Sequence, residues 1–120
     1  QDKYTRVLMG NLDLQEHASP QVRLTATSLS ILTATSGAVG SDYGHGVGHG
    51  VSFCGPVHEY PHYAYAKKDG VFLAPGMVIT NEPGYYKSGH FGIRVENIMT
   101  VIKSGDYLSF DCLTLIPYCR

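Results

Sequence analysis

An α+β fold is predicted for this chain from three observations. Helical spacing is confined to its first 36 residues, glycine gathers just after them, and short β-rich runs between turn signals follow residue 50. Tyr4, Val7, Leu8 and Leu12, with Met9 beside them, recur at helical spacing and predict an amphipathic helix over 2–16. Gly10 weakens its second half, since glycine inside a helix costs about 1 kcal/mol relative to alanine. His17 to Pro20 breaks the pattern. Over 22–36, Leu24, Leu29, Ile31 and Leu32 fit a core-facing helix, but the surrounding threonines and serines are poor helix formers, so periodicity prefers helix only narrowly. Gly37, Gly40 and Gly44 lead into a glycine-rich segment. Val57, the run 71–73 and Val78-Ile79-Thr80 are predicted strands. Val95 to Ile102 is a longer one rich in β-branched residues, and Leu113 to Ile116 a closing one. Pro83-Gly84 and Ser88-Gly89 are turn signals between the strands that hold Glu82 and Glu96.

The 120 residues suit one domain, with 43% hydrophobic residues and too little charge (16%) for a disordered tail. Nine basic and ten acidic residues leave a net charge of -1, so no basic footprint for nucleic acid or an anionic membrane exists. No apolar run approaches the ~20 residues that span a bilayer. The first twenty residues mix Asp2, Lys3, Arg6, Asp13 and Glu16, unlike a secretory leader. Three cysteines (Cys54, Cys112, Cys119) without metal-type spacing agree with a reducing compartment, and the cytoplasm is the expected location. A start at Gln1 directly into a helix and an end at Arg120 directly after a strand predict a single partial domain, 1–120.

Two constellations carry chemistry. The first is His45-Gly46-Val47-Gly48-His49-Gly50, followed nine residues after His49 by His58-Glu59. Histidines four apart occur in zinc-protease helices, but that motif needs a Glu and a regular helix between them, and the glycines between and after these histidines disfavour a helix. Glycine instead allows close backbone approach, with imidazoles projected from a strand or loop. A glycine-rich turn with incidental histidines is the plainer alternative. The second constellation is Glu82-Pro83-Gly84-Tyr85-Tyr86 with Gly92-Ile93-Arg94-Val95-Glu96-Asn97. Each Glu lies in a strand whose alternate positions should be buried, and a buried carboxylate is costly unless paired or bound to metal. Two carboxylates on neighbouring strands can converge, and with a histidine they make a metal site. Arg94 offers the competing account, simple salt bridges with these acids.

In this order the two constellations resemble the pita-bread (creatinase/aminopeptidase) metallopeptidases, and within them aminopeptidase P, the Xaa-Pro aminopeptidases. Pro75-Gly76-Met77-Val78-Ile79-Thr80 and Leu113-Thr114-Leu115-Ile116-Pro117 resemble that subfamily too. The resemblance is specific over 44–101, loose over 17–43, and implies half of the fold, helices packed on a curved antiparallel sheet. It makes His49, Glu82 and Glu96 three of five ligands to two divalent ions, manganese foremost, with zinc and cobalt as alternatives. Glu96 would bridge both ions and Glu82 would also shuttle a proton. His45 and His58 would line the substrate site, and Arg94 would orient a ligand. The implied reaction releases the N-terminal residue before proline by attack of a metal-bridged hydroxide, on a peptide substrate with proline second.

The family's two ligand aspartates, eleven residues apart, are missing. Asp2 and Asp13 share that spacing, but both fall on the predicted helix, where eleven residues span ~16 Å, whereas paired metals sit ~3.5–4 Å apart. The chain alone is therefore expected to bind at most one ion weakly, to show little activity, and to form homo-oligomers or exchange strands through its exposed edge. Two alternatives remain: a non-catalytic pita-bread binding module, and a methionine aminopeptidase or prolidase relative. His17, His62 and His90 are expected at the surface, Cys54 as a small buried filler, and Glu59 in a salt bridge. Tyr60, Tyr63, Tyr65, Tyr85 and Tyr86 are expected in the core or lining a pocket.

Overall fold

A computed structural model describes residues 1–19, 45–63 and 72–118, with the backbone alone at 61–63. Among the described residues one helix, α1 (Asp2–Gln15), precedes seven strands: β1 (Gly48–Gly50), β2 (Glu59–Tyr63), β3 (Val78–Asn81), β4 (Gly84–Lys87), β5 (Phe91–Arg94), β6 (Asn97–Ser104) and β7 (Tyr107–Cys112). Five of them form an antiparallel sheet in the order β2-β1-β3-β6-β7, while β4 and β5 form a hairpin. The α+β class is as the sequence predicts. The undecided stretch 22–36 lies outside the described residues.

The helix forms where the periodicity places it, but its buried stripe is Val7, Gly10, Asn11 and Leu14. Met9 is half exposed, and a polar residue, fully buried Asn11, takes a core position. Strand β6 alternates as a half-covered strand must, with Asn97, Met99 and Val101 buried on one face. Ile79, Met99 and Val101 join Leu14, Val47 and Leu73 in the core, flanked by Met77, Leu108 and Phe110. Each fully buried apolar side chain stabilises the fold by about 1.5–3 kcal/mol.

Three predicted strands need correction. Val57 lies in a bend and is exposed, because no ladder reaches it. Leu113 to Ile116 is not a strand: the ladder with β6 ends at Cys112, a last amide bond runs from Leu113 to the Ile98 carbonyl at 2.8 Å, and Leu115 and Ile116 are largely exposed. The strand predicted over 95–102 begins at Asn97, since Val95 and Glu96 fall in a break between β5 and β6. Of the two turn signals, Ser88-Gly89 does turn, between β4 and β5, whereas Pro83-Gly84 continues in extended backbone and Gly84 opens β4.

That break positions the site. Asn81 faces Asn97 at the end of the β3–β6 ladder, and Gly84 faces Arg94 at the start of the β4–β5 hairpin. Both pairs keep one register, so Glu82 falls opposite Glu96 and Pro83 opposite Val95. The amide of Val95 donates to the carbonyl of Pro83 at 3.2 Å, as that register requires.

Candidate metal centre

Alternation along the strands sorts side chains onto two faces. Ile79 and Asn81 point to the core and the helix, which leaves Thr80 and Glu82 on the other face. Strand β1 pairs with β3 through Gly50 and Ile79, which puts His49 beside Thr80. The His49 amide donates to Thr80 Oγ1 at 3.0 Å, and that hydroxyl donates to Glu82 Oε1 at 2.9 Å. Gly50 makes the strand approach feasible: a Cβ there would lie 2.6 Å from the carbonyl oxygen of Tyr60 on β2.

His49 and Glu82 are both buried, each 8% exposed, and His49 Nε2 lies 3.3 Å from Glu82 Oε1. The other ring nitrogen, Nδ1, donates to the Gly50 carbonyl at 2.8 Å, and this bond sets the tautomer. With the proton on Nδ1, Nε2 turns its lone pair towards a carboxylate oxygen. A metal ion placed between two such lone pairs would draw on both. Nitrogen and oxygen donors ~2.0–2.2 Å from one ion sit ~3.0–3.5 Å apart, so the pair fits one coordination edge.

Glu82 Oε2 accepts from Arg94 Nη1 at 3.3 Å, so the salt bridge offered as the competing account is present. Arg94 Nε also donates to the Tyr86 hydroxyl at 2.9 Å. Tyr86 in turn donates to His45 Nε2 at 2.8 Å, because His45 Nδ1 is committed to the Gly46 carbonyl at 2.6 Å. The hydrogen bond with Tyr86 raises the Arg94 guanidinium above its ordinary value, with smaller contributions from the charges of Glu82 and Glu96. Arg94 therefore stays a cation at any working pH.

Four of the predicted site residues thus join Thr80 and Tyr86 in one network. His58 is exposed, but its ring packs on that of His49 with centroids 4.3 Å apart. Glu96 stands apart. It is exposed, and among the described residues no three His, Cys, Asp or Glu side chains come close enough to hold an ion. Asp2 and Asp13 are both on α1, and Asp2 pairs with Arg6 at 3.0 Å. Cys54 is exposed rather than a buried filler, Tyr60 is exposed but lines a depression, Tyr86 is exposed at the network's edge, and among the described residues Glu59 Oε1 accepts a 3.2 Å bond from the Tyr60 amide and makes no salt bridge. An open depression of about 590 Å³ lined by Val51, Phe53, Tyr60, Met77 and Val78 lies beside β1 and β3 and shares no lining with the network. Thr80 and Asn11 went unnoticed in the sequence. Thr80 had a usable signal, since it lies two residues before Glu82 and so on its face of the strand.

The imidazole of His49, the carboxylate of Glu82 and the guanidinium of Arg94 are thus gathered where the sheet meets the β4–β5 hairpin. The model of metallopeptidase family M24 matches residues 1–112. The chain belongs to this family. It is 40% identical to mouse Xaa-Pro aminopeptidase 2 and 43% identical to Xaa-Pro aminopeptidase 1 of Dictyostelium discoideum, each over 99% of its length. It spans only 18% and 20% of those two relatives. Among solved structures, it is similar to the X-prolyl aminopeptidase of Caenorhabditis elegans, a cytosolic enzyme with a di-nuclear active site. The TM-score is 0.81 at 32% identity, covering 96% of this chain and 20% of that one. Prolidase from Pyrococcus furiosus gives a TM-score of 0.83 at 28% identity, over 98% of this chain and 33% of that one. These neighbours share the pita-bread fold, of which the chain forms an α+β half.

Proposed function

We propose that these residues belong to a metalloaminopeptidase that releases the N-terminal residue preceding proline. One observation carries the reading: the 3.3 Å approach of His49 Nε2 to Glu82 Oε1, with Nδ1 held by the Gly50 carbonyl. His49, Glu82 and Glu96 would hold metal, and the register supports Glu96, since it falls opposite Glu82 across the break. Like charges on facing residues repel, and a shared cation would relieve them. The bound metal, with manganese the first to test, would acidify water and polarise the scissile carbonyl. Glu82 would move the proton, His45 and His58 would line the substrate's path, and Arg94 would orient Glu82. The remaining aspartate donors would come from outside these residues, so the chain alone would hold one ion weakly at most.

A cytoplasmic location belongs to the same proposal, supported by the cytosolic nematode relative. No helix among the described residues is long and apolar enough to cross a membrane. Prolidase is a second reading, favoured by the Pyrococcus furiosus fold match, but the higher identities are to aminopeptidases. Assay of the complete natural protein decides among the readings. Release of the first residue from Xaa-Pro tripeptides, abolished by chelation and restored by Mn²⁺, is expected. Cleavage confined to Xaa-Pro dipeptides would favour prolidase, preference for N-terminal Met a methionine aminopeptidase, and no hydrolysis a non-catalytic module.

A further inference from the structure

We infer that Asn11 is a positioning residue for the two glutamates: from α1 it clamps the end of the β3–β6 ladder and fixes the backbone that aims both carboxylates. The inference rests on the reading of Glu82 and Glu96 as metal donors. Asn81 and Asn97 form the last pair of that ladder, and the next residue outward on each strand is a glutamate. Both strands then break, at Glu82-Pro83 and at Val95-Glu96. Asn11 lies there with 0% exposure.

Its Nδ2 donates to the Asn81 carbonyl at 3.0 Å and to the Val95 carbonyl at 3.1 Å. Those are the residues immediately before Glu82 and Glu96. Its Oδ1 accepts from Asn97 Nδ2 at 2.9 Å and from the Tyr118 hydroxyl at 3.1 Å, so the residue after Glu96 is held as well. Its backbone carbonyl accepts from Asn81 Nδ2 at 2.8 Å. Burial raises the Tyr118 phenol above its ordinary value, which keeps it a neutral donor. One amide thus supplies bonds where the two-strand ladder lapses. Packing alone would ask for leucine at this helix position, and leucine would remove every one of the side-chain bonds.

The test compares Asn11→Ala with Leu14→Ala in the complete natural protein. Leu14 lies on the same buried stripe and in the core, so both substitutions create a cavity and lower Tm. The clamp predicts that Asn11→Ala weakens Mn²⁺ affinity about tenfold, followed by electron paramagnetic resonance, while Leu14→Ala changes it less than about twofold. It also predicts that the amides of Glu82 and Val95 exchange hydrogen faster in Asn11→Ala than in Leu14→Ala. Equal affinity loss in both variants, with no excess exchange at those amides, overturns the inference. Should Asn11→Ala not fold, Asn11→Asp keeps the acceptor for Asn97 and Tyr118, removes the Nδ2 donor, and must show the same affinity loss. A wild-type protein that binds no divalent ion overturns the metallopeptidase reading, and the aiming of donors with it. The exchange comparison still reads the backbone clamp separately.

Discussion

Replacing Glu82 with glutamine keeps the shape of the side chain and removes its charge. The Thr80 hydroxyl still has an oxygen to donate to, but the carboxylate facing His49 Nε2 is gone. On the proposed function, the complete natural protein should lose 10–100-fold in metal affinity and more in turnover, measured by metal titration and a peptide assay. The cost in stability from Arg94 should be small, since that side chain is 43% exposed and surface ion pairs contribute about 0–1 kcal/mol. Tyr86→Phe separates two roles. It cuts the link between Arg94 and His45 while leaving the Arg94–Glu82 bridge in place. Two hydrogen bonds are lost, each about 0.5–1.5 kcal/mol, so kcat/KM should fall roughly five- to 150-fold with metal affinity unchanged. A matching loss of metal would assign Tyr86 to the metal instead. Gly84 makes this contact tight, because a Cβ there would lie 2.8 Å from His45 Nε2 and 2.9 Å from the Tyr86 hydroxyl.

At the scale of elements, β1 is three residues long and still carries His49, so its pairing with β2 and β3 matters more than its length. Gly50→Ala would drive a methyl into the Tyr60 backbone, which cannot move aside as a flexible side chain does. Overpacking of this kind costs about 1–3 kcal/mol, and the expected fall in Tm is read by thermal unfolding. An unchanged Tm would show that β2 yields. The helix and β3 were legible in the sequence because their patterns are local: apolar residues at helical spacing, and a short β-branched run. Val57 and Leu113 to Ile116 misled because β-branched and apolar composition reports willingness to pair, not the presence of a neighbour. The Pro83-Gly84 signal misled for a related reason: both residues suit a turn, but the shared register on either side holds them extended. Asn11 was illegible altogether. A polar residue in a helix takes a core position only when distant backbone supplies its partners, and those partners lie 70 and 84 residues away.

For the whole molecule, among the described residues the sheet ends at β2 on one side and at β7, with its single bridge to Ser19, on the other, and Phe53, Leu115 and Ile116 stand exposed. The chain spans about a fifth of the relatives it matches, whose remaining length is free to cover such surfaces. On its own it should self-associate at high concentration, through an open edge or these apolar groups. Light scattering would contradict this with a clean monomer. The same isolated chain should take up Mn²⁺ weakly and below one ion per chain, and a tight two-ion titration would refute the idea that donors are missing. The central claim is that His49, Glu82 and Glu96 share metal. Anomalous diffraction at the manganese edge, from crystals of the complete natural protein grown with Mn²⁺, tests it most directly. Peaks are expected within bonding distance of His49 Nε2 and both carboxylates. A crystal with Glu82 still bound to Arg94 and the manganese elsewhere would contradict it.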